Sequence, residues 1–173
     1  MKLIEGLKRL RIIEKRIKSQ NADITRYASM INTERPLFET EDRQKKEVRS
    51  LIQSNIDLIK EYMSLKRKIE LTNLGTFREM NGEKYSIADL LVIQRKTYEM
   101  GRSTFKSLND SASQSRLVSI RHMASEGKTP VINRLYNEED RIKGLKYWQD
   151  LYDSIGAILE IMNATSDVDL IEE

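Results

Sequence analysis

Two stretches near the start of the chain repeat apolar residues at alternating three- and four-residue steps, and this spacing limits the fold more than any other feature of the sequence. The first seam consists of Leu10, Ile13, Ile17, Ile24, Tyr27 and Ile31, interrupted by Gln20. The second consists of Val48, Leu51, Leu58, Tyr62, Leu65 and Ile69, with Asn55 as its polar member. Such spacing is typical of a coiled-coil stripe. It predicts two long helices that each bury one narrow face.

These two helices are predicted to form an antiparallel hairpin. The first runs from about Leu3 to Ile31 and ends before Pro36, because proline lacks the amide proton that a helix interior requires. The second begins near Thr40, whose hydroxyl is suited to capping its first turn. A connection this short makes consecutive helices antiparallel neighbours.

A small β-element is predicted after the helical hairpin. From Thr76 to Ser86 the helical period breaks, and the residues alternate on either side of an Asn-Gly pair at positions 81 and 82. Asn-Gly is the pair that favours the type I′ turn of a two-residue β-hairpin. Ser86 then caps a third helix that is predicted to end near Asn109 and to be weakened in its middle by Gly101.

The serine-rich segment from Asp110 to Lys128 is predicted to be a loop with one extended strand that pairs with the β-hairpin. The strand prediction rests on the apolar alternation of Leu117, Val118, Ile120 and Met123. Thr129 followed by Pro130 is a helix-start signal, so a fourth helix is predicted from there. Its apolar stripe would be Leu135, Ile142, Leu145, Trp148, Tyr152, Ile155, Leu159 and Met162.

The composition favours slender helices over a thick globular core. Of the 173 residues, 39% are hydrophobic, only 6% are aromatic and 33% are charged. We therefore predict a mainly α fold, with a long antiparallel helical hairpin (coiled coil), two further helices and a small β-hairpin or strand element. The predicted single elongated domain comprises the helical hairpin (1–73), a middle part with the β-hairpin, third helix and loop (74–128), the C-terminal helix (129–165) and an acidic tail (166–173).

Several classes of protein are excluded by the same composition. The chain has no cysteine, which excludes disulfides and thiolate metal sites. It has no apolar run near the ~20 residues of a membrane-spanning helix, and charged residues interrupt the place of a signal-peptide core. We predict a soluble protein that is synthesised in the cytoplasm, with no transmembrane segment, no metal and no cofactor.

Catalytic side chains are scarce. His122 is the only histidine, and a nucleophilic triad would have to combine it with Ser119 or Ser125 and with Glu126. No strand-turn-helix elbow surrounds either serine. The acidic run at positions 138–140 is better explained as a solvated helix face. We predict that the protein is not an enzyme.

Assembly with other protein chains is the main functional prediction. Apolar residues occupy a second face of the second helix, and one partner helix covers only one stripe. The candidate interface residues are Ile52, Ile56, Ile59, Met63, Trp148 and Tyr152. They predict a non-catalytic structural protein that forms homo-oligomers, binds other structural proteins, or does both.

Nucleic-acid binding through the base of the hairpin is the alternative prediction. The candidate basic patch consists of Lys8, Arg9, Arg11, Arg16, Lys66 and Arg67. Clustered Lys and Arg side chains are the electrostatic footprint of phosphate binding. The formal net charge is only +3, however, and the acidic tail of a neighbouring subunit would neutralise the same patch.

Short motifs along the chain resemble those of one known family. They are Met1-Lys2-Leu3, Leu71-Thr72-Asn73-Leu74, Ser86-Ile87-Ala88-Asp89 after the Asn-Gly turn, and Asn163-Ala164-Thr165. In this order the chain resembles the septicolysin-like family of small bacterial and phage coiled-coil proteins, which typically has a tryptophan where this chain has Ala164. The resemblance implies a helical oligomeric protein and a phage virion as its setting. The family name adds membrane lysis as a minor alternative.

Overall fold

The computed structural model describes residues 1–121 and 130–168. Within these ranges the chain is mainly α-helical with one small antiparallel sheet, which confirms the predicted fold class. The chain divides into two compact units. The first holds residues 1–88 and the chain from Glu160 onward, and the second is Asp89–Leu159. The description of the chain as a single elongated domain stays a prediction.

The first unit is built on the helical hairpin. Helix α1 is Leu3–Tyr27 and helix α2 is Glu41–Gly75. Gly6, early in α1, lies against Ile69, late in α2. Gln20, late in α1, donates to Ser54 Oγ in the first half of α2 at 3.1 Å, so the two helices run antiparallel. The hairpin is confirmed, and its description as a coiled coil stays a prediction.

The connection between α1 and α2 is held by Gln44, which is buried although it is polar. Its Nε2 donates to the Tyr27 carbonyl at 2.8 Å, and its Oε1 accepts from the Leu37 N–H at 3.0 Å. Because Gln44 uses the Tyr27 carbonyl, α1 ends there and not at Ile31 as predicted. The predicted cap of α2 is confirmed, since Thr40 Oγ1 accepts from a backbone N–H of the first turn at 3.2 Å.

The core of the helical hairpin is narrow and follows the two predicted seams. Its buried apolar residues are Leu3, Leu10, Ile13, Leu58, Leu65 and Ile69. Gly6 permits the closest approach of the helices, because a Cβ at that position would lie 3.3 Å from Ile69 Cδ1. Asn55, the polar member of the second seam, is also buried.

The predicted β-hairpin is confirmed. Strand β1 is Phe77–Met80 and strand β2 is Glu83–Ser86, paired antiparallel. Asn81 and Gly82 both have positive φ, at 54° and 82°, as a type I′ turn requires. Within the described residues these two strands form the whole sheet, so no third strand pairs with them.

The end of the described chain closes onto its beginning. The Leu3 N–H donates to the Ser166 carbonyl at 2.9 Å, and the Val168 N–H donates to the Met1 carbonyl at 2.8 Å. Between these bonds, Lys2 Nζ donates to Asp167 Oδ2 at 2.8 Å. The buried side chain of Val168 therefore joins the core of the first unit.

The predicted third helix consists of three consecutive segments. Helix α3 is Ile87–Val92, a π-helical turn covers Ile93–Thr97, and helix α4 is Tyr98–Lys106. The irregularity therefore lies before Gly101 and not at it. A π-helical turn changes the direction of the side chains that follow it.

The prediction of a strand in the serine-rich segment is wrong, because residues Ser111–Arg121 form helix α5. Its serines bond to their own helix: Ser115 Oγ donates to the Ser111 carbonyl at 3.1 Å, and Ser119 Oγ donates to the Ser115 carbonyl at 3.3 Å. These bonds satisfy hydroxyl groups that otherwise favour turns. Met123, the last residue of the predicted strand, lies outside the described residues.

The fourth helix begins later than predicted. Helix α6 is Glu138–Thr165, and Asn137 caps it by accepting from the Glu139 N–H through Oδ1 at 2.8 Å. Thr129 lies outside the described residues, and positions 130–137 are not helical. Arg134 Nε donates to Asp110 Oδ2 at 2.8 Å, which holds this segment in place. Leu135, which was predicted to lie on the helix stripe, is almost fully exposed.

Candidate protein-binding face

Helix α2 carries a row of exposed apolar side chains outside the seam. Ile52, Ile56 and Ile59 are 44%, 42% and 45% exposed, and Met63 is 65% exposed. They recur at i, i+4, i+7 and i+11, so they lie on one face of the helix. We call these four residues the apolar stripe. Leu58, on the seam between two of them, is buried.

A hollow of about 290 Å³ lies between α1 and α2 beside the apolar stripe. Its lining residues are Glu14, Ile17, Lys18, Asn21, Ile59 and Tyr62. The Tyr62 hydroxyl donates to Glu14 Oε1 at 2.8 Å across the hollow, and this hydrogen bond raises the pKa of Tyr62. Because Ile59 belongs both to the stripe and to the hollow, the apolar surface continues from α2 into the space between the helices.

A row of cations on α1 reaches the same hollow at its last member, Lys18. Lys8, Arg11, Lys15 and Lys18 recur at i, i+3, i+7 and i+10, which places them on one face of α1. We call them the cation line. All of them are exposed, and within the described residues none lies within 4.0 Å of a carboxylate. Lys18 lines the hollow together with Ile59, so the end of the cation line at Lys18 borders the apolar stripe on one side of the hairpin. We call this side the hairpin face.

The opposite side of the hairpin is electrostatically different. There Arg9 Nη2 lies 2.6 Å from Glu61 Oε1, and Arg9 Nε donates to the same oxygen at 2.7 Å. These two residues line a separate hollow together with Lys68 and Val168. Both contacts go to a single carboxylate oxygen and both side chains are partly exposed, so this is a surface ion pair. The cations of the cation line differ from Arg9 in that, among the described residues, they have no carboxylate partner.

The structure does not bring the six residues of the predicted basic patch together as one surface. Lys8 and Arg11 belong to the cation line, whereas Arg9 is paired with Glu61. Lys66 Nζ lies 2.6 Å from Glu70 Oε1 one turn along α2. The last two residues of the predicted patch, Arg16 and Arg67, are exposed. The patch prediction left out Lys15 and Lys18, although their spacing from Lys8 and Arg11 was the signal that would have found them.

The two aromatic residues of the predicted interface are used within the second unit. The Trp148 indole lies against Gly101, and the Tyr152 ring centroid lies 4.5 Å from that of Tyr98. The Tyr98 hydroxyl donates to Gln149 Oε1 at 3.0 Å. Trp148 is half-buried and Tyr152 is 36% exposed. Their part in an interface stays a prediction.

A polar cluster in the second unit surrounds Asp110. Besides accepting from Arg134, Asp110 accepts from the Tyr136 hydroxyl at 3.4 Å. Burial raises the pKa of Tyr136, and the neighbouring Asp110 carboxylate raises it further. These contacts hold the segment before α6 against the start of α5, so the cluster stabilises the fold of the second unit. His122 and Ser125 lie outside the described residues.

Residues 1–121 and 130–168 contain no group of three or more histidine, cysteine or acidic side chains placed to hold a metal ion. In the same ranges, no helix has both the length and the apolar character needed to cross a membrane. Comparison with family models, with curated proteins and with solved structures gives no match to this chain. The resemblance to the septicolysin-like family therefore stays a prediction.

Proposed function

We propose that this protein is a non-catalytic structural or assembly protein that binds other protein chains through its hairpin face. One observation carries the proposal: four large apolar side chains of α2 stay exposed at helical spacing although the seam beside them is already filled. A helix with apolar residues on two faces has one face more than its hairpin partner covers. An organised row of this kind marks an interaction surface better than scattered apolar residues do.

The size of the stripe indicates a weak individual contact. Burying the exposed part of a half-exposed isoleucine is worth roughly 1 kcal/mol, and the four residues together about 4 kcal/mol. Association costs about 4 kcal/mol or more in lost translational and rotational freedom. The stripe therefore needs additional contacts, or many simultaneous copies, to hold a partner. Repeated weak contacts are suited to a large particle, where multivalency raises the overall affinity. This reasoning supports a phage virion as the setting that we propose.

The proposal is tested by light scattering coupled to size exclusion, at low and at high salt. High salt screens the repulsion between cation lines, so the stripe is then free to join chains to one another. We expect a mass above the 20.2 kDa of one chain at high salt. Replacing Ile56 and Ile59 with asparagine should restore the single-chain mass. Ile142→Asn is the matched control, because Ile142 is 56% exposed and lies on α6 in the second unit.

A chain that stays monomeric at high salt would contradict self-assembly through the hairpin face, and association that the paired isoleucine substitution leaves unchanged would contradict the assignment of binding to the apolar stripe. Equal loss of association in the Ile142→Asn control would show that the effect does not belong to the stripe. The predicted homo-oligomer is tested by the same measurement.

Nucleic-acid binding is a second candidate, and the unpaired cation line is the observation that favours it. Phosphate contacts by Lys and Arg give binding that weakens steeply with salt. Replacing Lys8, Arg11, Lys15 and Lys18 with glutamate should weaken such binding, and unchanged affinity would remove this candidate. For the minor alternative of membrane lysis, the matching measurement is dye release from liposomes, and intact liposomes would count against it.

A further inference from the structure

We propose that the partner seated on the hairpin face is an acidic amphipathic helix from a different protein, an inference that rests on the proposed function. Its apolar residues would cover the apolar stripe and fill the hollow beside Ile59. Its acidic residues would meet the cation line. The hairpin and its partner would then form a three-helix layer.

The shape of the face fits a helix. The apolar stripe runs from Ile52 to Met63, a span of twelve residues of α2 and about 16 Å along the helix axis. A partner helix that presents residues at i, i+3 or i+4, and i+7 matches such a row, as in other helix-in-groove complexes. The hollow between α1 and α2 provides a recess for one of these side chains, with Ile17 and Ile59 as its apolar walls.

The charge of the face specifies the acidic character of the partner. Lys8, Arg11, Lys15 and Lys18 form no ion pair within the part of the chain that the structure describes. Glu14 is the one acidic residue lining the hollow, and its Oε1 already accepts from Tyr62. A partner with carboxylates along one flank would pair with the cation line and would be steered toward it during encounter.

A second copy of this chain fits the same face less well. If a two-fold related copy stacked its hairpin face on the first in antiparallel register, the four cations of one copy would lie against the four of the other. Like charges brought together across an interface cost several kcal/mol, which exceeds what the weak apolar stripe supplies. Self-association is therefore expected where salt screens the charges, and an acidic helix is expected to bind where it does not.

The experiment uses three helical peptides with identical apolar heptad positions and with Glu, Gln or Lys at the flanking positions. Binding of each peptide to the full chain is measured by fluorescence anisotropy at low salt. We expect the Glu peptide to bind at least about tenfold more tightly than the Lys peptide. This preference should shrink as salt is added.

Two variants connect the binding to the face. Replacing Ile56 and Ile59 with asparagine should abolish binding of the Glu peptide, and replacing Lys15 and Lys18 with glutamate should remove the preference for it. Arg16→Glu is the matched control for charge, because Arg16 is exposed on α1 outside the cation line. All of these side chains are exposed, so helical content measured by circular dichroism should be unchanged.

The outcomes separate the inference from the proposed function. If the three peptides bind equally and the isoleucine variant abolishes binding, the inference of an acidic partner is overturned. The proposed function, binding of a protein through the hairpin face, is then supported. If none of the peptides binds, both are overturned. Glu-peptide binding that survives the isoleucine substitutions overturns the inference, because the contact would then be purely electrostatic. Tighter binding to vesicles of anionic lipid, lost in the same isoleucine variant, overturns it in favour of a membrane surface.

Discussion

The indole of Trp148 occupies the space that a Cβ at Gly101 would need. A reciprocal contact lies nearby, where the Phe105 ring occupies the space of a Cβ at Gly144. In each contact an aromatic ring of one helix packs directly against the backbone of the other at a glycine. The two contacts bring α4 and α6 together within the second unit. The sequence pattern had indicated Gly101 only as a weak point of its helix.

Replacing Gly101 with alanine is expected to lower the free energy of unfolding by about 1–3 kcal/mol, because the methyl group would displace the Trp148 ring. In an ordinary helix the same substitution raises stability by up to about 1 kcal/mol, so the sign itself is informative. Urea denaturation followed by circular dichroism measures the change. Gly156→Ala in α6 is the matched control: the nearest atom to its Cβ is Gln94 Nε2, at an ordinary 3.5 Å, and a small gain is expected. A gain of similar size in both variants would contradict the packing described above.

The long helices and the β-hairpin were predictable because short-range rules determine them. The seam spacing defined α1 and α2, and the Asn-Gly pair defined the turn between β1 and β2. The end of α1 was not predictable, since it depends on Gln44, a residue seventeen positions away in sequence from the carbonyl it binds. The helical conformation of residues 111–121 was missed because serine-rich composition indicates turns unless the hydroxyl groups bond to their own helix.

The buried amide of Asn55 leads to a prediction about the stability of the helical hairpin. Its Nδ2 donates to Asn21 Oδ1 at 2.9 Å, whereas its own Oδ1 is buried and accepts no hydrogen bond from the described residues. Buried polar residues in a helical seam cost stability and fix the alignment of the helices. Asn55→Leu is therefore expected to raise the free energy of unfolding by about 1 kcal/mol.

Asn21→Ala is the companion variant and should change stability in the opposite direction, by about 1–3 kcal/mol, because it leaves both polar groups of Asn55 buried and unpaired. Asn21 itself is exposed, so its loss removes little packing. Denaturant midpoints of the two variants, measured side by side, check the prediction. If both variants raise stability, or both lower it, the unpaired amide of Asn55 does not determine the stability of this site.

Gln44 provides the corresponding prediction for the tip of the hairpin. Gln44→Ala removes both side-chain hydrogen bonds and leaves the Tyr27 carbonyl and the Leu37 N–H without these partners. We expect a loss of about 1–3 kcal/mol. Amide hydrogen exchange should show faster exchange at Leu37, whose N–H loses its acceptor. Gln53→Ala is the control, since the Gln53 side chain is exposed and bonds only to Asp57 within α2. Unchanged exchange at Leu37 would contradict the role assigned to Gln44.

The stripe of the candidate site was predictable from sequence, and the character of its surroundings was not. Ile52, Ile56, Ile59 and Met63 follow the helical period, which locates them on one face of α2 without any structure. The hollow and the side on which the cation line lies depend on how α1 rotates against α2. Only the structure shows that Arg9 is paired with Glu61 whereas Lys18 lines the hollow with Ile59.

The pair between Lys2 and Asp167 makes the closure of the first unit sensitive to acid. The hydrogen bond from Lys2 Nζ holds the pKa of Asp167 below its ordinary value of 3.8. A lowered carboxyl pKa contributes stability that is fully present above the ordinary value and is lost as the pH falls through the folded-state pKa. NMR titration of the Asp167 carboxyl carbon should therefore give a midpoint below 3.8. Lys2→Met should return the midpoint toward that value, and Lys8→Met, which removes a cation without an ion pair from the same helix, should leave it unchanged. An ordinary midpoint in the unmodified protein would show that the ion pair does not hold the end of the chain in place.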